Sequence, residues 1–182
     1  KCDSTSHATS QCPHYRKKRE KHPDAQRRKS ISSMCSGGNF VLRRADVVSQ
    51  PGDGSCLFHS LAYGLGDSVS AGQLRQKIGR FIVQNQALEV AETPIRDWIK
   101  WDSGKDVKSY ARYMARPGAW GGGIEMAAFS RMAKRNVHVY ERSRSAMGGY
   151  KRISCFDCPG AGSKTVHVLY CGGVHYDALN PR

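Results

Sequence analysis

Apolar positions along the chain fall into short strand-like runs and helix-spaced sets from residue 40 onward, whereas the segment before it has no apolar periodicity. Phe40, Val41 and Leu42, then Val47 and Val48, read as the entry to a domain and a brief strand. Pro51, Gly52, Asp53 and Gly54 form a loop by their turn chemistry. Leu57, Phe58, Leu61, Ala62 and Leu65 then recur at helical spacing, with Ser55 placed to cap the helix and Cys56 at its N-terminus. Further helices are expected over 71–85, with Leu74, Ile78, Phe81 and Ile82 facing inward, over 107–114, and from 124 to about 134, where Asn136 ends the last. Strands are expected at 137–140, 166–170 and 175–179, with 141–164 as a Gly- and Ser-rich excursion. Helices early and strands late predict an α+β domain over 37–182.

The formal net charge of +14 sharpens the division of the chain. Residues 1–36 hold nine Lys/Arg against three Asp/Glu and end in a Ser- and Gly-rich linker, so they read as a basic head. Arg16 to Arg19 with Arg27, Arg28 and Lys29 would attract RNA or DNA phosphates by counterion release, and a solvated tail that aids solubility is the alternative. No apolar run approaches the roughly 20 residues that span a bilayer, and no signal peptide is evident. The expectation is a soluble, intracellular protein, cytoplasmic or nuclear, with no membrane partner. Seven cysteines in such a chain are expected to be reduced, pointing to catalysis or metal rather than a disulfide framework.

Cysteine reacts with carbonyls as thiolate, and its ordinary pKa of about 8.5 must be lowered by the site. A helix N-terminus at Cys56 favours the anion, and Gly52 and Gly54 let the backbone turn its N–H groups toward an acyl oxyanion. Among seven histidines, His7, His14 and His22 lie in the head, and His138 and His167 fall in strands where packing explains them. His59, one turn along from Cys56, is a candidate neighbour of the thiol. His175 is the preferred base, because in an extended segment Asp177 shares its face and can orient the imidazole.

Asp53-Gly54-Ser55-Cys56-Leu57-Phe58, then Trp120-Gly121-Gly122 with Ile124 and Glu125, then His175-Tyr176-Asp177 occur in the order of three motifs of the ovarian-tumour (OTU) family of cysteine proteases. The chain resembles that family over roughly residues 40–180. The resemblance implies a papain-like fold, a small twisted sheet flanked by helices, and a deubiquitinase acting on ubiquitin or polyubiquitin without a catalytic cofactor. It implies Cys56 as nucleophile, His175 as base, Asp177 as its orienting acid, and Gly54 and Ser55 in an oxyanion loop. Trp120, Gly121 and Gly122 would line the channel for the Gly-Gly tail, or serve as packing and loop residues. Asp53 has two readings, shaping the oxyanion loop or bonding its own backbone in a turn. His59 stands where the family commonly has arginine, and the Cys155-x-x-Cys158 pair is not required by its motifs.

Two other functions fit the sequence: an idle protease fold that binds nucleic acid through the head, and a protease that processes a polyprotein. Cys2, His7 and Cys12 reproduce the last three ligands of a zinc knuckle, C-x2-C-x4-H-x4-C, the first of which would precede Lys1. Structural zinc takes four ligands, so His14 would have to substitute, and chance spacing is the competing reading. Cys155 and Cys158, even with Cys171, are one ligand short of a zinc site.

Overall fold

The computed structural model describes residues 40–66, 69–143 and 148–182. Strands β1 (Val41–Leu42) and β2 (Ala45–Val48) lead through the Pro51–Ser55 loop into α1 (Cys56–Leu65). Next come α2 (Ala71–Gln84), the hairpin β3 (Glu89–Val90) and β4 (Thr93–Pro94), α3 (Ile95–Ser103), α4 (Val107–Met114) and α5 (Gly123–Ala133). The chain closes with β5 (Asn136–Arg142), β6 (Tyr150–Phe156), β7 (Thr165–Cys171) and β8 (His175–Pro181).

Local chemistry accounts for the helix starts. Ser70 accepts a hydrogen bond from Gln73 N while the Gln73 side chain accepts one from Ser70 N, a reciprocal cap on α2. Asp106 accepts from Ser109 N at 3.0 Å and caps α4. Ser55 does not cap α1 as expected, because its hydroxyl is held by Arg75, an interaction that only the folded chain creates.

The sheet order is β1-β6-β5-β7-β8-β2, with β5 and β7 parallel and every other pair antiparallel. β1 and β2 thus occupy opposite edges, although only Arg43 and Arg44 join them. Six flat strands would separate those edges by about 24 Å, and three Cα steps reach only about 11 Å. The sheet must therefore curl. Its outer face, with Val137, Val139, Val166 and Val168, packs against Leu57, Phe58, Leu61, Leu74, Ile78 and Phe129 of the helices. Its inner face buries Tyr140, Tyr150, Leu169 and Leu179 against Leu42, Ala45 and Val47. α1 lies along β7 and β8, which brings the helix start to the first residues of β8.

The sequence pattern missed the β3–β4 hairpin, α3 and β6. α3 buries only Ile95 and Ile99, and β6 only Tyr150 and Cys155, so neither carries enough apolar residues to show a period. Asn136 does not end α5: Lys134 stops it in a left-handed conformation, and Asn136 opens β5. Among the described residues no helix is long and apolar enough to cross a membrane.

The inner face also holds His138 and His167, side by side in the β5–β7 register with ring centroids 5.8 Å apart. His138 bonds the Asp157 carboxylate at 3.1 Å, and His167 Nδ1 bonds the Tyr140 hydroxyl at 3.1 Å. Burial pulls the His167 pKa down from its ordinary value to about 4, and His138 shifts the same way for the same reason. The unfolded state takes up protons near pH 6.5, where folded His167 does not, so stability present above that pH is lost as pH falls toward 4. Thermal melts at pH 7.5 and 4.5 should show the acid-side loss, and a His167→Gln protein should show less of it. An equal loss in the variant would overturn the assignment.

Candidate active site

Cys56 begins α1, where the first-turn N–H groups have no partner within the helix. The loop before it is tightly specified. Gly54 has φ +79°, and a Cβ there would lie 2.6 Å from Gly118 Cα and 3.0 Å from Gly118 O. Gly54→Ala therefore meets backbone on one side and left-handed strain on the other. It should lower unfolding free energy by about 1–3 kcal/mol in chemical denaturation, and an unchanged midpoint would contradict the close approach.

Asp53 and His59 meet across the first turn. Asp53 Oδ1 accepts from Ser55 N at 2.8 Å, and His59 Nε2 donates to Asp53 Oδ2 at 3.0 Å. These bonds, the one from His59 foremost, hold the exposed Asp53 carboxyl below the usual carboxylate range. The turn bond expected of Asp53 is present, and His59 stabilises that turn. The Ser55 N–H is thereby occupied.

Behind the loop stands Arg75 of α2, only 3% exposed. Its Nη1 donates to Met114 O at 2.8 Å and Ala119 O at 2.6 Å, and its Nη2 to Gly54 O at 3.1 Å and Ser55 Oγ at 3.0 Å. The guanidinium also lies 4.0 Å over the Phe58 ring. One side chain thus ties the loop before Cys56 to the segment 114–119. Sequence reading passed over Arg75, although it sits at helical spacing with Ile78 and Ile82 on the buried face, where a charged residue calls for a partner.

The segment leading to α5 rests against the same helix. A Cβ on Gly121 would come within 2.9 Å of the Phe58 ring and 3.0 Å of Leu57, so only glycine lets this backbone pack there. Gly122 N donates to Glu125 Oε2 at 2.8 Å, and Glu125, 2% exposed, also accepts from the Tyr110 hydroxyl at 2.6 Å. Burial pushes both the Glu125 carboxyl and the Tyr110 phenol up from their ordinary values. Trp120 remains 65% exposed, so it is a surface residue and not a packing tryptophan.

On β8, His175 Nε2 donates to Asp177 Oδ1 at 3.0 Å, the i to i+2 pairing expected on one face of a strand. Asp177 is 9% exposed and collects two more donors: Gln50 N to Oδ1 at 2.9 Å, and the Cys171 thiol to Oδ2 at 3.6 Å. Burial and the Asp177 carboxylate raise the Cys171 pKa, which keeps this thiol a neutral donor. The Ser60 hydroxyl lies 3.0 Å from Cys56 O and 3.3 Å from Tyr176 O, linking the first turn of α1 to the residue after His175. Burial pushes the Tyr176 phenol up to about 12, with Tyr170 and Cys56 adding to the shift. Gln50, Ser60 and Cys171 left no signal in the sequence, because their partners lie far along the chain.

Among the described residues no group of three or more His, Cys, Asp or Glu is placed to hold a metal ion. Cys56, Cys158 and Cys171 are free thiols, and the Cys158 thiol donates to Pro159 O at 3.6 Å. Cys155 is disulfide-bonded, against the expectation of reduced thiols throughout. The zinc-knuckle residues Cys2, His7 and Cys12 lie outside the described residues, as does the rest of the basic head.

The sequence profile of the family described as OTU-like cysteine protease matches residues 51–178, from the Pro51–Ser55 loop into β8. The chain belongs to this family. OTU relatives include the OVARIAN TUMOR DOMAIN-containing deubiquitinating enzyme 4 of Arabidopsis thaliana, 29% identical over 176 residues, which are 94% of this chain and 55% of that protein. Ubiquitin thioesterase OTU1 of Saccharomyces cerevisiae is 25% identical over 150 residues, 81% of this chain and 42% of the relative. The chain spans about half the length of the curated relatives it matches. Among solved structures, the Hazara virus OTU bound to ubiquitin superposes with TM-score 0.62 at 23% identity, covering 81% of this chain and 88% of that one. An OTU deubiquitinase from Wolbachia pipientis wMel bound to ubiquitin gives TM-score 0.54 at 23% identity, covering 76% and 96%. The fold is thus the α+β OTU type of the papain-like proteases, as the motifs implied.

Proposed function

We propose that the protein is a deubiquitinase that hydrolyses the isopeptide bond at the C-terminal glycine of ubiquitin. The observation that carries this reading is the His175–Asp177 bond of 3.0 Å on the strand against which the Cys56 helix packs, within the part of the chain matched to a family of cysteine proteases. Relatives named as deubiquitinating enzymes and ubiquitin thioesterases, and OTU structures bound to ubiquitin, supply the substrate class.

The His175–Asp177 pairing supports one proton path. Because Nε2 of His175 is bonded to Asp177, Nδ1 is the nitrogen that takes the Cys56 proton. The thiolate attacks the glycine carbonyl, and the imidazolium returns the proton to the departing lysine amine. Water then enters, deprotonated by His175, and releases the ubiquitin carboxylate and the thiol. With Ser55 N–H held by Asp53, the Cys56 N–H at the helix start is a donor for the oxyanion, and Gly54 and Ser55 shape its approach. Trp120, Gly121 and Gly122 border the narrow path for the Gly-Gly tail. The reading carries an intracellular site of action, cytoplasmic or nuclear, where the Cys56 nucleophile is kept reduced, while the Cys155 disulfide points the other way.

Ubiquitin carrying a C-terminal electrophile should label the protein at one residue and leave Cys56→Ala unlabelled. No labelling of a folded wild type would remove the proposal. For the head, the knuckle-like spacing of Cys2, His7 and Cys12 supports zinc, and the basic run supports nucleic acid. Zinc release from the purified chain that vanishes in Cys12→Ser would support the first.

A further inference from the structure

A groove of about 680 Å³ lies away from Cys56, on the outer side of α2 and α4. Each helix offers it the same pattern. α2 contributes Gln76, Gly79, Arg80 and Val83, and α4 contributes Lys108, Ala111, Arg112 and Ala115, both at i, i+3, i+4, i+7. The opposite faces of these helices are already used, Leu74, Ile78 and Ile82 on α2 and Val107, Tyr110 and Met114 on α4 all being buried. The floor is Gly79, Ala111 and Val83, low enough for a third backbone to come close. Two helices that present matched stripes over a small-residue floor form the seat of a third helix.

Charge decides what fits. Arg80, Lys108 and Arg112 stand on the rim, and no acidic residue lines the groove. An adjoining depression of about 450 Å³ continues the same sign, lined by Lys105, Ser109, Arg112, Tyr113 and Arg116. The chain's own head is a poor occupant, with nine Lys/Arg against three Asp/Glu. So is a second copy, at net charge +14. An apolar floor offers nothing to nucleotide bases beyond the rim charges, whereas it suits a helix with a small apolar stripe flanked by carboxylates.

We propose that the α2–α4 groove is a docking site for an acidic amphipathic helix of a partner protein. The site is separate from the hydrolase centre, although the same two helices reach it from their other side. Arg75 of α2 donates both to Met114 O of α4 at 2.8 Å and to Gly54 O of the loop before Cys56 at 3.1 Å, so a helix seated in the groove would stiffen that support.

The test uses the full chain and a fluorescent, end-capped peptide of about 16 residues, long enough to hold helix, with Leu and Ala at i, i+3, i+4, i+7 and Glu elsewhere. Saturable binding to wild type is expected, weakening with salt, and falling at least about tenfold in Lys108→Glu/Arg112→Glu and in Ala111→Leu, which fills the floor. A matched peptide with Lys for Glu should gain affinity for the charge-reversed protein. Ubiquitin-electrophile labelling and circular dichroism report whether each variant is folded, and the charge-reversed double variant, altered only at the surface, keeps the test sound if Ala111→Leu fails to fold. The proposal is overturned by absence of saturation with wild type, or by affinity unchanged in the folded variants. It is also overturned if single-stranded RNA displaces the peptide and its own binding is lost on charge reversal.

Discussion

His175→Ala should leave a folded protein whose kcat/KM toward a ubiquitin substrate is lower by about 10³-fold or more, since it removes both the base that generates the thiolate and the acid that protonates the leaving amine. The side chain is half-buried on a strand held by its ladder with β7 and β2, so its removal leaves the sheet intact. Asp177→Asn should produce a smaller fall, of about 10²-fold. Asp177 touches no substrate in this scheme and acts by positioning His175, and it does so from a carboxylate that also accepts Gln50 N and the Cys171 thiol. Its loss should therefore free the imidazole to turn away from the thiol, lowering the rate while the sheet stays folded. Stopped-flow hydrolysis together with circular dichroism reads both. A His175→Ala enzyme with near wild-type kcat/KM would require a different base, with His59 the first to examine.

Arg75→Ala should be the most destabilising single substitution outside the apolar core. It strands the carbonyls of Met114, Ala119 and Gly54 in a buried setting, and each unmet acceptor costs about 1–3 kcal/mol. A total near 3–5 kcal/mol corresponds to a Tm lower by about 10 °C for a domain of this size. Arg75→Lys should recover only part, because one ammonium cannot reach four acceptors arranged for a planar fork. Activity should fall further than stability accounts for, since Gly54 and Ser55 lose the anchor that sets the loop before Cys56. Differential scanning calorimetry with labelling below the transition separates the two. A Tm within about 2 °C of wild type would show that the guanidinium is replaceable by water.

The elements legible in the sequence share a property: their information is local. α1 and α2 carry four or more apolar residues on one face, and the loop at Pro51–Gly54 is written in turn residues. α4 was legible too, over 107–114, where Val107, Tyr110 and Met114 prove to be buried. β6 was not, because its exposed Lys151 and Ile153 and its half-buried Arg152 carry no alternation, and its strand state depends on pairing with β5 and β1. Ser55 shows the limit in a single residue. By sequence it is a helix cap, and in the fold its hydroxyl belongs to an arginine twenty positions away.

For the site, the sequence supplied the candidates: local pattern singled out Cys56 at a helix start and the His175-x-Asp177 pair on a strand, and resemblance to the family's motifs added the Trp120–Gly122 segment. Tertiary structure alone decided how they are held. The curl forced by the two-residue link between β1 and β2 brings β2, and Gln50 beyond it, alongside β8. Packing of α1 on β8 lets Ser60 join the turn of Cys56 to the strand of His175. Burial of Arg75 and Glu125 is tolerated because acceptors and donors from distant segments converge on them, and that convergence, carried by hydrogen bonds across long sequence separations, has no local pattern to be read.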